Sequence, residues 1–310
     1  MHATERFPLR PGCTLDGRFL IQEVLGSGGT GVVMAVQHLG LRQQVAIKML
    51  HPDLARDDDT VARFLSEAQA AARLRSEHVV HVTEVATLSS GVPYFVMEYL
   101  PGADLGALLE DGGPLPFEDV IDYALQALEA LAEAHGQGIV HRDLKPANLF
   151  LTTLEDDTAF IKVLDFGISK LIGWEVTGDG TITRRGTILG SPLYMSPEQI
   201  RDPGGVDARS DVWSLGAVMH ELLTGRPPFE STSVPGVIRA IFTPSTNRPT
   251  SSTCPTSSST SSCAVCKSRA TIATRASSRS PARSGRSRAH SPRDGRSNAS
   301  CARKVAHHRV

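Results

Sequence analysis

The chain has 310 residues, 40% of them hydrophobic and 21% charged, an ordinary composition for a globular protein with one large core or two moderate ones. Its formal net charge of −1 averages two opposite parts: residues 243–310 hold eleven Arg, two Lys and one Asp, a balance of +12, which leaves −13 for the 242 residues before them. Four of the five cysteines lie in that basic stretch, so the body has no disulfide framework. No apolar run reaches the roughly 18–20 residues of a membrane span, and residues 1–11 lack the apolar centre of a signal peptide. A cytoplasmic protein with no membrane segment is the expectation.

In chain order, Phe19–Leu25 mixes alternation with a short apolar run and reads as a strand. Val32–Val36 and Gln44–Leu50 are two more. Thr60–Arg75 is predicted helical, with Thr60 as its cap and Val61, Phe64, Leu65, Ala68 and Ala72 on one face. Strand-like Val79–Val85 and Tyr94–Tyr99 complete a small sheet with one helix. Pro101-Gly102 marks a hinge, after which Leu105–Leu109, Phe117–His135 and Val212–Leu223 are amphipathic helical stretches. A strand-rich part followed by a helix-rich part is an α+β arrangement, with a cleft expected at the join.

Between the first two strands, Gly26-Ser27-Gly28-Gly29-Thr30-Gly31 has G-x-G-x-x-G spacing. That spacing alone also suits a dinucleotide loop, but such a loop opens a helix, and here Val32-Val33 continues as a strand. Glycines would let this hairpin lie close over phosphates, where a Cβ would intrude. Lys48 sits among apolar neighbours inside the third strand. A buried ammonium needs a carboxylate partner, and Glu67, on the apolar side of the following helix, is the candidate; Glu77 lies beyond the periodic segment. Further on, His141-Arg142-Asp143-Leu144-Lys145-Pro146-Ala147-Asn148 precedes Asp165-Phe166-Gly167 by a short hairpin. Together these hold a candidate base, a lysine and two oxygen donors suited to Mg²⁺.

Strand lysine, catalytic loop and Asp-Phe-Gly in that order resemble the eukaryotic-like (Hanks-type) serine/threonine protein kinases, most closely the bacterial ones, from about Arg18 to about Phe242. The resemblance implies a bilobal protein-kinase-like fold: residues 1–17 an arm, 18–100 a β-rich N-lobe, 101–242 a helical C-lobe incomplete at its end. It implies ATP and Mg²⁺ as cofactors and Ser/Thr-containing proteins as substrates. Asp143 would be the base, Lys145 would neutralise the transferring phosphoryl group, and Asn148 and Asp165 would hold the metal. The Lys48–Glu67 pair would form in the active state. Val33 and Ala46 would roof the adenine and Phe150 floor it, with Met97 at the back, Glu98 and Leu100 binding through backbone groups, and Asp104 reaching the ribose. Lys145 and Gly190-Ser191 favour the serine/threonine class over tyrosine kinases. Arg142 before the base implies control by phosphorylation of the segment from Asp165 to Glu198, with Thr183 and Thr187 the candidate sites, and with self-association for autophosphorylation. Asp211 resembles the helix residue that braces the catalytic loop.

From Thr243 the pattern collapses. The last 68 residues contain no Leu, Phe, Trp or Tyr but 17 Ser, a composition that cannot bury a core and predicts a disordered Ser/Arg-rich tail. It lacks the interleaved aromatics of a single-strand nucleic-acid binder, and Cys263-Ala-Val-Cys266 lacks a second ligand pair for zinc, so no nucleic-acid partner is expected. A shifted reading frame accounts for the composition: read one base out of phase, TCN-coded Ser-Ser pairs become NTC codons, which always encode apolar residues, so Pro255–Cys266 regains an amphipathic pattern. Glu198 would then lack the arginine that its family pairs with it, and Trp213 and the Val218–Leu223 face would be exposed. The alternative reading is a catalytically impaired binding or scaffold protein with an incomplete C-lobe.

Overall fold

The structure, a computed structural model, describes residues 10–166, 174–176, 182–184 and 192–243. These divide into two compact units: residues 10–65 with Val82–Leu100, and Ser66–His81 with residues 101–243.

The first unit is a six-stranded antiparallel sheet. Its strands are β1 (Thr14–Leu15), β2 (Phe19–Ser27), β3 (Gly31–His38), β4 (Gln43–Leu50), β5 (Val82–Thr87) and β6 (Pro93–Glu98), in the order β1-β2-β3-β4-β6-β5. The two-residue periodicity of a strand separates its faces. Phe19, Ile21, Met34, Val36, Ile47, Met49, Tyr94 and Val96 form a buried core on one of them. The register pairs Val33 with Lys48, Ala35 with Ala46, Lys48 with Phe95 and Ala46 with Met97. Directly opposed residues share a face, so these six all lie on the other side. Arg18 donates twice to Glu84, at 2.7 and 2.8 Å, and its guanidinium lies 4.9 Å from the centre of the Phe19 ring. Burial and a hydrogen bond to Asp16 push the Tyr94 hydroxyl up to about 12.

Helix α1 (Asp58–Arg73) follows β4. It begins two residues before the position expected from Thr60, which is inside the helix and donates its hydroxyl to Asp57. The cap is thus a contact to the preceding aspartate, which leaves Asp58 and Asp59 to favour the positive end of the helix.

In the second unit, α2 (Leu105–Gly112) and α3 (Phe117–Gly136) precede a three-stranded sheet of β7 (Ala103–Asp104), β8 (Leu149–Thr153) and β9 (Ala159–Val163), ordered β7-β8-β9. A further pair, β10 (Trp174–Val176) and β11 (Ile182–Arg184), is followed by α4 (Pro197–Arg201), α5 (Ala208–Thr224) and α6 (Val234–Phe242). Val120, Ala127, Ala130, Leu131 and Ala134 of α3 enter a core with Leu149, Leu151, Ile161, Val163, Leu215, Val218 and Leu222. The segment Ser66–His81 belongs to this core through Ala70, Leu74 and Val79. Val163 donates to His78 O at 2.7 Å and accepts from Val80 N at 3.1 Å, which extends the edge of β9. Glu133 of α3 also accepts from the backbone N–H groups of Arg75 and Ser76.

Residues at the ends explain where these elements start and stop. Asp104, Ser196, Asp207 and Ser233 each accept a backbone N–H in the first turn of α2, α4, α5 and α6. Gly225, at φ 80°, ends α5 in the left-handed conformation that only glycine takes without strain. Gly102 has φ 137°, and a Cβ there would lie 2.1 Å from Leu151 O, so the turn after Pro101 requires glycine.

Candidate active site

In the first unit, the turn between β2 and β3 is closed by Gly28 N–H donating to Gly31 O at 2.9 Å. His51, just past β4, holds this turn from below: its N–H donates to Thr30 O at 3.0 Å, and its Nε2 lies 2.8 Å from Gly28 O. The glycines differ in what they require. A Cβ on Gly31 would lie 2.2 Å from Met49 O, so the fold itself needs glycine there. Around Gly26, Gly28 and Gly29 a Cβ would meet nothing within 4 Å, and their φ angles are ordinary. Among the described residues, no contact requires glycine at these three positions. Ser27 and Thr30 complete the turn.

Lys48 is buried in the middle of β4, with Nζ 5.8 Å from the centre of the Phe95 ring. Val33, Ala46 and Met97 share its face through the sheet register. A lysine therefore sits on an apolar wall of small and branched side chains. Glu98 ends β6, and Leu100 follows it, half-buried. Glu67 is half-buried on α1.

In the second unit, the loop from His141 to Asn148 is fixed from several sides. Asp211, fully buried at the start of α5, accepts His141 N–H at 2.8 Å, Arg142 N–H at 2.9 Å and His135 Nε2 at 2.7 Å. A buried carboxylate is costly unless its lone pairs are filled, and here three donors fill them. The His141 ring packs on Phe166 at 4.9 Å between centres, with Nε2 donating to Leu164 O at 3.0 Å and Nδ1 accepting Asp143 N–H at 3.3 Å. Those partners place the ring hydrogen on Nε2.

Asn148 donates through Nδ2 to Asp143 O at 2.8 Å and to Asp143 Oδ2 at 3.2 Å. Both bonds use the amide nitrogen, which leaves the Asn148 side-chain oxygen outside this contact. Lys145 Nζ lies 3.4 Å from Asp143 Oδ2. Arg142 and Asp165 both have positive φ, 65° and 52°, a conformation that costs a non-glycine residue free energy and collects at functional sites. Phe150 pairs with Asp104 across β7 and β8. Asp104 Oδ1 is engaged as the cap of α2, accepting Ala107 N–H at 2.9 Å.

Asn148 and Asp165 fit a magnesium site by donor type: one amide oxygen and one carboxylate, with remaining positions left to phosphate and water, as Mg²⁺ prefers. Among the described residues no group of three or more His, Cys, Asp or Glu is placed to hold a metal.

Two expectations are corrected. Glu198 is half-buried and has a partner: Ser210 Oγ donates to it at 2.7 Å. Burial alone would raise its pKa, yet hydrogen bonds from Ser210, its own backbone N–H and Ser196, together with the charge of Arg209, hold it below the usual carboxylate range. Trp213 stacks on Phe229, 5.6 Å away and 6° from parallel, beside Val237, Ile238 and Ile241 of α6, while Val218 and Leu222 are buried. Among the described residues of the second unit, the exposed large apolar side chains are instead Phe117, Leu125 and Leu128 of α3, Leu154 after β8 and Val212 of α5. Gly167, Thr187, Gly190, Ser191 and residues 244–310 lie outside the described residues, and only the backbone of Thr183, within β11, is described. Sequence reasoning missed His51, His135 and Gln199; for Gln199 the signal was present in Ser196-Pro-Glu-Gln199, the spacing of a capping box.

Comparison with known proteins agrees with this geometry. The protein kinase domain description matches residues 19–282, reaching past Phe242 into the stretch set apart by composition. The chain is 40% identical over 226 residues to serine/threonine-protein kinase pkn3 of Myxococcus xanthus, covering 73% of this chain and 41% of that protein. It is 42% identical over 219 residues to serine/threonine-protein kinase PknB of Mycobacterium leprae, covering 69% of this chain and 34% of that protein. It thus spans about a third to two-fifths of the length of these relatives. Among solved structures, the Mycobacterium tuberculosis PknI kinase domain superposes with a TM-score of 0.57 at 30% identity, covering 73% of this chain and 79% of that one. With a matching domain description over most of its length and a protein-kinase fold, the chain belongs to the protein kinase family.

Proposed function

We propose that this chain transfers the γ-phosphoryl group of ATP to serine or threonine hydroxyls of protein substrates in the cytoplasm. The observation that carries the reading is the arrangement at Asp143: a carboxylate 3.4 Å from Lys145 Nζ, bonded by Asn148, in a loop clamped by a fully buried aspartate. Phosphoryl transfer needs placement and charge neutralisation more than covalent chemistry, and this loop supplies both.

In the first unit the hairpin 26–31 would lie over the phosphates and Lys48 would pair with them. Val33, Ala46 and Met97 would meet the base, and Glu98 and Leu100 would meet its edge through backbone groups. In the second unit Asp143 orients the substrate hydroxyl and accepts its proton as the new O–P bond forms and the bond to the ADP oxygen breaks. Lys145 offsets charge on the transferred group. Asn148 and Asp165 would hold Mg²⁺, which when bound neutralises phosphate charge. Arg142, Thr183 and Thr187 would make activity depend on phosphorylation of the segment between Asp165 and Glu198.

The test is transfer from γ-labelled ATP to the chain itself and to Ser, Thr and Tyr peptides. Label on Ser or Thr that Asp143→Asn abolishes is the expected result. Equal labelling by the Asp143→Asn variant, or label on Tyr alone, refutes the proposal. Nucleotide binding without any transfer would favour the scaffold alternative.

A further inference from the structure

The proposed reaction depends on how Asp143 is aimed, and the peptide that leads into it is held by a residue outside the catalytic loop. Arg142 has φ 65°, so its backbone must be kept from relaxing. Asp211 Oδ1 takes its N–H. Its carbonyl oxygen accepts a 2.8 Å hydrogen bond from Gln199 Nε2, at the start of α4. That carbonyl belongs to the same peptide plane as Asp143 N–H, which donates to His141 Nδ1. Gln199 and His141 therefore grip the two sides of the peptide immediately before Asp143.

The other end of the Gln199 amide is also engaged. Its Oε1 accepts Ser196 N–H at 2.9 Å, while Ser196 Oγ accepts Gln199 N–H at 3.3 Å, so the capping box of α4 is complete. One partner is a donor and the other an acceptor, so only one orientation of the amide satisfies both. Ser196 is itself fully buried and hydrogen-bonded to Ser210. The side chain thus links the anchor that follows residues 185–191 to the catalytic loop.

We propose that Gln199 is a positioning residue for Asp143, coupling the Ser196–Gln199 anchor to the catalytic loop through the Arg142 carbonyl. The proposal rests on the kinase reading of the same loop. Helix capping alone does not require glutamine here, because glutamate at this position of a capping box accepts the Ser196 N–H equally well. A carboxylate cannot donate to Arg142 O, and it places lone pairs against lone pairs. Glutamine is the side chain that does both.

Gln199→Glu separates the two roles, with Gln199→Leu removing both, each in the full chain. For the Glu variant the expected results are a melting temperature lowered by about 3–6 °C, the size of one lost hydrogen bond, a kcat about tenfold lower, and an unchanged KM for ATP. Amide exchange at His141 and Arg142 should quicken about fivefold or more. A Glu variant that turns over and exchanges like wild type, with only the Leu variant impaired, overturns the proposal and leaves Gln199 a helix cap. If the wild-type chain transfers no phosphoryl group, the kinase reading fails on that result, and the exchange measurement still decides the coupling: faster exchange in the Glu variant supports it and unchanged exchange overturns it.

Discussion

Alanine substitutions in the hairpin 26–31 should separate what the fold needs from what a nucleotide needs. At Gly31 the new methyl would sit 2.2 Å from Met49 O and 3.1 Å from Met49 C. These are backbone atoms of the neighbouring strand, where Gly31 pairs with Leu50 and Val32 with Met49. Relief needs a shift of about 1 Å in the ladder, an overpacking strain of about 1–3 kcal/mol. For a domain of this size that lowers the melting temperature by roughly 2–12 °C, at about 2–4 °C per kcal/mol. At Gly28 and Gly29 the same methyl enters open space at ordinary φ. There the unfolded chain loses freedom and the folded chain loses nothing, so stability should hold or rise by about 0.4–1 kcal/mol.

Nucleotide affinity should be affected at all three. At Gly28 and Gly29 the methyl would stand between the backbone and the phosphates, displacing at least one charge-assisted hydrogen bond. Such a bond contributes about 1.5–3 kcal/mol, so binding should weaken roughly ten- to hundredfold. Thermal denaturation and titration with a fluorescent non-hydrolysable ATP analogue measure the two effects separately. The reasoning is refuted if Gly28→Ala destabilises as much as Gly31→Ala, or if Gly28→Ala and Gly29→Ala bind the analogue as tightly as wild type.

Asp211→Asn should keep two of the three donors at best, leaving an amide N–H facing another N–H at a loss of about 1.5–3 kcal/mol; a melting temperature unchanged by this variant would contradict the assigned hydrogen bonds. Acid should destabilise the fold: hydrogen bonding from Arg18 holds the Glu84 carboxyl below its ordinary 4.5, and Glu198 is likewise held low by its hydrogen-bond donors against burial. Their contributions are full above the unfolded value and fade as pH falls through the lower folded values, modestly for the exposed Arg18 pair; a flat melting temperature from pH 6 down to pH 3 would be inconsistent with this. Leu125→Glu with Leu128→Lys, at positions 57% and 39% exposed on α3, should raise soluble yield and reduce self-association in sedimentation without lowering the melting temperature. His51→Ala should loosen the glycine hairpin and raise KM for ATP about two- to tenfold, the range of one hydrogen bond, and His51→Gln should partly restore it; equal KM in the Ala variant would remove His51 from that role.

Periodicity and spacing were sufficient for most of the architecture because the signals are local. The strands read at Phe19–Leu25, Val32–Val36 and Gln44–Leu50 survive in one sheet, the second and third largely buried on both faces, and the 3.6-residue repeat of α3 survives as its buried stripe. The motif spacing also placed Asp143, Lys145 and Asn148 in one loop, since all three depend on a short stretch of chain. Boundaries fared less well where a side chain had two partners to choose from. Thr60 was read as a cap because threonine favours that position, but Asp57 offers its hydroxyl an acceptor and two further acidic residues favour an earlier start.

The expectations that failed concern residues whose partners lie far along the chain. Glu198 was judged by its family's arginine, yet its nearest recorded donor is the hydroxyl of Ser210, a residue too ordinary to attract notice by type. The same small network, Ser196 to Ser210 to Glu198, lies beneath Gln199. Neutral hydroxyls filling a half-buried carboxylate avoid the penalty of an unpaired charge without needing a counter-ion. Trp213 shows the same logic with apolar surface: it was expected to be bare, but the nine residues of α6 and Phe229 cover it. A long-range partner leaves no periodic mark, so the sequence can announce that a buried group needs satisfying while saying nothing of which residue does so. That is why the bracing of Arg142 by Gln199, one hydrogen bond across 57 positions from an amide whose other end closes the capping box with Ser196, is visible only in the folded chain, although the capping-box spacing that positions it is written in four consecutive residues.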